Sequence, residues 1–252
     1  MNSTNINTQH RDFDLLSLGE ILLRLSPPSN ERIVRNDTFN KQIGGAELNV
    51  VSGASLLGLH TGIISKLPAN SLGIYAKNQI RFCGVSDDYL VFDHDDNARL
   101  GIYFYENGAY PRKPSILYDR HNSSFCKTTI DDFPQHVFSS TRCFHTSGIT
   151  MALNSQLLNT TIEMIKRFKE HGTLISFDVN FRGNLWSGPQ AKEQIEKILP
   201  YVDIFFCSED TARLTFLKEG DVKSIMKSFA RDYNIPIVAS SQRIVHLSLI
   251  HI

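Results

Sequence analysis

Short apolar runs alternate with segments of helical period along most of the chain. Phe13 to Leu18 reads as a buried strand, and Ile21 to Leu25 continues it beyond Gly19-Glu20. Pro27-Pro28-Ser29-Asn30 is a turn. Ala46 to Leu57 is expected to be helical, Thr61 to Lys66 a strand, and Leu72 to Cys83 a helix that stops before Gly84. From Asp88 to Asp119 the rhythm changes. Tyr89-Leu90-Val91-Phe92, Leu100 to Tyr105 and Ile116-Leu117-Tyr118 are apolar or aromatic runs, broken by polar turns such as Asp93-His94-Asp95-Asp96-Asn97. That is strand–turn–strand character without a helical period, and it predicts a small β-flap beside the main domain. After Arg142 strand and helix alternate again. Strands are expected at Cys143 to Thr146, Thr173 to Phe177, Val202 to Phe206 and Pro236 to Ser240. Helices are expected at Asn154 to His171, Pro189 to Leu199, Asp210 to Leu217 and Val222 to Tyr233. Leu157, Leu158, Ile162, Ile165 and Phe168 hold helical spacing, and Gly172 follows the end of their helix. Repeated strand–helix units imply a mainly parallel sheet with helices on both faces.

Composition narrows the class without naming a chemistry. The 252 residues suffice for one large α/β domain with a small accessory element. The 26 basic and 26 acidic residues cancel, so nothing draws the chain toward nucleic acid or an anionic membrane. There is no apolar run long enough to span a bilayer. Met1 to His10 is polar and reads as a flexible leader, not a signal peptide. Cys83, Cys126, Cys143 and Cys207 are widely spaced, which predicts reduced thiols in a cytoplasmic protein rather than a metal cluster. The nine histidines are scattered, and His145, inside an apolar strand, reads as a hydrogen-bonded core group.

Polar groups gather where a parallel sheet would place a ligand, at the carboxyl ends of its strands. Gly44-Gly45-Ala46-Glu47-Leu48-Asn49 opens a helix with two glycines. Backbone without a Cβ can approach a ligand closely, the first amides of a helix lack internal partners, and Asn49 adds a side-chain amide. The same glycines also fit a turn that needs them for geometry alone. Asp178-Val179-Asn180-Phe181-Arg182 leaves its strand with a carboxylate, an amide and a guanidinium at alternate positions. Taken alone, Asp178 and Arg182 read as a structural ion pair, while Arg182 is also a fork for a carboxylate or phosphate. Thr146-Ser147-Gly148 reads as a simple turn. Within the flap Tyr103 and Tyr105 share one strand face and Phe104 takes the other. Tyr103, Tyr118 and Arg120 suit either a sugar-covering flap or ordinary aromatic packing with Arg120 in solvent, and Glu20 ends the first strand within reach of the same space. Nucleotide-loop and nucleophile-elbow motifs of the GxxxxGK[ST], GxGxxG and GxSxG kinds are absent.

Together these segments resemble the PfkB (ribokinase-like) carbohydrate kinases from about Phe13 to about His246. The carriers are the Gly44 to Asn49 signature, the DxNxR segment at Asp178 to Arg182 and the flap between Tyr89 and Asp119. Gly19-Glu20, Phe144 to Thr150 and Ser240 to Val245 bring the chain nearest the branch of the family that acts on 2-keto-3-deoxygluconate. The resemblance implies an α/β, ribokinase-like three-layer sandwich with a mainly parallel central sheet. It implies a kinase domain over residues 12–246, with β-lid segments around 20–43 and 88–120. The implied reaction is ATP- and Mg2+-dependent phosphorylation of the sugar acid to its 6-phosphate. Gly44, Gly45, Asn49 and Asn180 would line the sugar site, with Tyr103 and Tyr118 touching the sugar from the lid. Arg120 and Arg182 would hold the acid end or the transferring phosphate. Two arginines suit a sugar acid better than a neutral ketose such as fructose, which is the alternative substrate. The lid also implies pairing of two copies of the chain.

Two departures accompany the resemblance. Where many members carry Asn-x-x-Glu for magnesium and phosphate, this chain has Ser208-Glu209-Asp210-Thr211, and Ser208 and Glu209 are the remaining candidates for cofactor contact. The family's Gly-Ala/Ser-Gly-Asp motif, with its anion hole and general base, does not occur in these 252 residues. The expectation is a chain without its C-terminal part, with an aberrant apolar tail at residues 247–252 and no catalytic competence of its own, acting at most as a sugar-binding or oligomer-contact fragment.

Overall fold

The computed structural model describes residues 11–241. The aberrant tail expected at 247–252, the polar leader, and the segment from Gln242 to Val245 lie outside the described residues. The chain begins with β1 (Phe13–Leu18), β2 (Leu22–Ser26), β3 (Asn40–Gly44), α1 (Ala46–Leu56), β4 (Thr61–Pro68) and α2 (Ser71–Phe82). Three strands follow: β5 (Leu90–Asp93), β6 (Gly101–Glu106) and β7 (Ser115–Asp119). The remainder is β8 (Thr141–Ser147), α3 (Gly148–Ala152), α4 (Ser155–Glu170), β9 (Leu174–Asp178), α5 (Gly188–Glu196), β10 (Ile204–Phe206), α6 (Glu209–Phe216), α7 (Val222–Asp232) and β11 (Ile237–Ala239).

The strands form two sheets. The larger has seven strands in the order β11-β10-β9-β8-β1-β4-β5, and its pairings are parallel. β1 lies in the interior of this sheet between β8 and β4, and its run Leu16–Leu18 is fully enclosed. Adjacent residues of β4 point to opposite faces. Ile64 enters a core shared with Phe144, Phe168 and Phe177, whereas Ile63 packs with Leu48 and Val51 of α1 and Ala76 and Ile80 of α2. Helices therefore cover both faces, as the alternation of elements predicts. α4 shows the local logic. Asn154 caps it by accepting the Leu157 N–H at 2.7 Å. Leu157, Thr161, Met164, Ile165 and Phe168 bury one stripe, and Gly172 ends it with φ of 74°.

The smaller sheet is ordered β3-β2-β6-β7. β2 runs antiparallel to β3 and parallel to β6, which pairs antiparallel with β7. Two expectations change here. Ile21 to Leu25 does not continue the first strand but crosses through Gly19-Glu20-Ile21 into the second sheet. The flap also starts later than Asp88. Leu90–Asp93 joins the central sheet beside β4, with Leu67 opposite Phe92, and only 101–119 belongs with β2 and β3. An apolar run of four residues carries no mark of which sheet will take it. Thr146-Ser147-Gly148 is likewise no simple turn: Ser147 ends β8 and caps α3, accepting the Ile149 N–H at 3.3 Å.

Candidate active site

In an open parallel sheet the crevice opens where successive connections depart in opposite directions. That point here lies between β1, whose next sheet neighbour in sequence is β4 on one side, and β8 on the other. Above it the carboxyl ends of β1, β8 and β9 face the smaller sheet across a cleft of about 820 Å3. Glu20 enters it from the β1–β2 link, Gly45, Glu47 and Asn49 from the start of α1, and Arg182 from the loop after β9. The smaller sheet contributes Arg24, Tyr103, Tyr105 and Tyr118, with Arg120 just beyond β7. The expected division of β6 holds: Tyr103 and Tyr105 line the cleft, while Phe104 turns away and meets Phe39 edge-on at 5.8 Å.

Close packing accounts for the glycine pair. A Cβ on Gly45 would stand 2.6 Å from the Glu20 carbonyl oxygen, so only glycine lets the start of α1 press against the strand link. A Cβ on Gly44 would stand 2.7 Å from the Tyr103 hydroxyl oxygen, which places that phenol directly over the glycine turn. Tyr118 lies beside Tyr103 with ring centroids 5.9 Å apart. The two side chains present hydroxyl-tipped aromatic surface toward the N-terminus of α1, where free amides point outward.

Beneath this surface sit two buried carboxylates. Glu20, 3% exposed, accepts both Nε (2.8 Å) and Nη2 of Arg120 on Oε2, and the Ser123 hydroxyl on Oε1 at 2.5 Å. Arg120 is thus no solvated surface residue; its side chain is 14% exposed and anchored inward. Burial pushes the Glu20 carboxyl above its usual range, with Arg120 and Ser123 acting against that rise. Glu47 accepts the Ser147 hydroxyl at 2.6 Å and the Thr150 hydroxyl at 2.9 Å, both on Oε1. Burial raises its pKa too, opposed first by the Ser147 bond. One carboxylate therefore ties α1 to the start of α3.

Arg182 is exposed at the cleft and forms no ion pair with Asp178, which corrects the pairing read from sequence. The Asp178 carboxylate instead accepts the Asn180 N–H at 3.0 Å, closing an Asx turn in which Asn180 takes φ of 37°. Burial raises the Asp178 pKa, with that bond and the charge of Arg182 acting the other way. Asn180 shapes the loop and does not line the cleft. Ser208 and Glu209 also stand away from it. Ser208 caps α6, accepting the Thr211 N–H and donating to the Thr211 hydroxyl at 2.9 Å, and Glu209 pairs with Arg213 at 2.6 Å. Among the described residues no group of three or more His, Cys, Asp or Glu side chains is placed to hold a metal ion. His145 is buried with Nδ1 2.9 Å from the Ser176 hydroxyl, the core role expected of it.

Arg24 and Glu47 were missed as cleft residues. Arg24 had a signal, because alternation along Leu22-Leu23-Arg24-Leu25 puts it on one face with Leu22. Glu47 had little, since a glutamate in a first helical turn is ordinarily a solvent-facing dipole partner.

Comparison with known proteins adds a lineage to this geometry. Residues 12–234 match the model of the pfkB family carbohydrate kinases. The 2-dehydro-3-deoxygalactonokinase of Haloferax volcanii is 35% identical over 225 residues, covering 89% of this chain and 70% of that protein. The 2-dehydro-3-deoxygluconokinase of Bacillus subtilis is 27% identical over 173 residues, covering 69% of this chain and 53% of its own length. The crystal structure of a Thermotoga maritima 2-dehydro-3-deoxygluconokinase superposes with a TM-score of 0.85 at 33% identity, over 90% of this chain and 72% of that one. The chain thus spans 53% to 72% of the length of these proteins.

Proposed function

The chain belongs to the pfkB family of carbohydrate kinases, and from that premise we propose that its cleft takes a 2-keto-3-deoxy sugar acid, of the 2-keto-3-deoxygluconate kind, as a phosphoryl acceptor. One observation carries the reading. Arg182 faces the cleft opposite Tyr103 and Tyr118 with no carboxylate partner among the described residues. A planar guanidinium without a counter-ion is a fork for a carboxylate or a phosphate, and a neutral ketose would leave it to water. The names of the relatives, which are kinases of 2-dehydro-3-deoxy sugar acids, support the same class of acceptor.

In this reading the sugar lies between the small sheet and the start of α1. Hydroxyls meet the free amides after Gly45 and the Asn49 side chain, and the tyrosines cover the ring or chain from above. Arg182, leaving β9, holds the acid end or steadies the phosphoryl group in transfer. Arg120 contributes with its charge largely balanced by Glu20. ATP is the donor that goes with the family, and magnesium its usual companion. Ser208 and Glu209 do not fit as their holders, because the first is spent on a helix cap and the second on Arg213. In this reading the described residues supply the acceptor side of the site.

Arg182→Ala tests the reading. Titration calorimetry should find binding of 2-keto-3-deoxygluconate weakened about tenfold or more. Binding of 3-deoxyfructose, which has a hydroxymethyl group in place of the carboxylate, should change little. Equal losses for both ligands would remove the carboxylate role, and tighter binding of fructose than of the acid would replace the sugar acid by a neutral ketose.

A further inference from the structure

We propose that Arg24 is a second specificity-determining residue of the cleft, reading the carboxylate of the acceptor from the small sheet. The inference rests on the sugar-acid reading above and adds a contact that the family signature segments do not contain. Arg24 lies on the face of β2 that looks into the cleft, paired in register with Tyr103 of β6. Its guanidinium is held in place by neutral groups. Nε donates to the Ser26 hydroxyl at 3.0 Å, and its central carbon sits 4.4 Å from the centroid of the Tyr105 ring. Stacking on an aromatic face and one hydroxyl bond orient the fork without cancelling its charge. No carboxylate forms an ion pair with it among the described residues.

The charge is directed at the sugar-facing surface. Burial pushes the Tyr103 phenol above its usual range, and Arg24 is the group that acts against that rise. Tyr103 itself lines the cleft, so the charge of Arg24 bears on a group that faces the ligand space. Arg120 differs. With Nε and Nη2 both on the Glu20 carboxylate, it reaches the cleft as one half of a near-neutral pair. Of the two arginines that the small sheet and its end bring to the cleft, Arg24 is therefore the one whose charge no carboxylate among the described residues balances. A guanidinium cannot shed its proton, so a half-buried one facing a cleft is relieved only by water or an anionic ligand. Arg24 from the small sheet and Arg182 from the loop after β9 both line the space.

The test is calorimetric titration of the intact chain with 2-keto-3-deoxygluconate and with 3-deoxyfructose, comparing wild type with Arg24→Gln and Arg24→Lys. Arg24→Gln should weaken the acid about tenfold while 3-deoxyfructose stays within about twofold, and Arg24→Lys should recover part of the loss. Ser26→Ala, which removes only the bond that orients Nε, should weaken the acid alone by about threefold. A preference for the acid that Arg24→Gln leaves undiminished, or a loss shared equally by both ligands, would overturn the role of Arg24 while leaving the sugar-acid reading intact. A wild type that binds both ligands equally would instead overturn the sugar-acid reading, and the role of Arg24 with it.

Discussion

His145 shows how much a single side chain's surroundings decide. It lies on β8, one of the strands that end at the cleft, and its ring is bonded to Ser176. Burial pushes its pKa down from 6.5 to about 4, so the folded chain holds it neutral. Between those values the unfolded chain binds a proton there that the folded chain does not, and stability falls as pH drops through the window. The loss should reach about 3 kcal/mol at pH 4. Glu20 and Glu47, raised by burial, act oppositely, because the folded chain holds their protons to higher pH. Comparison with His145→Gln isolates the histidine. In urea unfolding, the stability of wild type relative to the variant should decline by about 3 kcal/mol from pH 7 to pH 4. A difference that stays constant with pH would mean that His145 is not held neutral. At this scale the Gly44-Gly45 pair was legible as backbone that needs glycine for its geometry, while Tyr103 was directed to the cleft only by the family resemblance. The sequence was silent on Glu47 and misleading on Asp178 with Arg182. Which partner a carboxylate finds depends on elements a hundred residues away, such as Ser147 for Glu47.

At the scale of elements, the site is an outcome of where strands end. The short link Gly19-Glu20-Ile21 carries the chain from the large sheet to the small one, and Glu20 is buried in that link because both sheets pack on it. α1 starts immediately after β3, so its free amides open onto the cleft rather than onto solvent. Ser147 joins three elements at once: it ends β8, caps α3 and donates to Glu47 of α1. Ser147→Ala removes a cap and leaves a buried carboxylate short of a donor, and should cost about 2 kcal/mol in urea unfolding. A cost near zero would mean that the α1–α3 tie carries no stability. Strand and helix types were legible because apolar period is a local property, as Leu157 to Phe168 of α4 illustrates. The local pattern did not allot β2 or β5 to a sheet; the family resemblance put 20–43 in the lid, where β2 lies, but also 88–120, from which β5 departs. Both strands are short apolar runs, and pairing is settled by partners distant in sequence, Gly101 to Phe104 for β2 and Ser65 to Pro68 for β5.

At the scale of the molecule, a parallel sheet covered by helices supports one wall of a cleft and a four-stranded sheet supplies the other. The formal charge of the whole chain is zero, yet the cleft concentrates Arg24, Arg120 and Arg182 against buried Glu20 and Glu47. An acceptor carrying one negative charge would complement that distribution. None of the described helices is long and apolar enough to cross a membrane. The most direct test of the account is calorimetric titration of the wild-type chain with 2-keto-3-deoxygluconate and with 3-deoxyfructose at low and high salt. The account predicts that the acid binds at least about tenfold more tightly, with the margin narrowing as salt screens the arginines. Equal affinities, or failure to bind the acid at all, would contradict it.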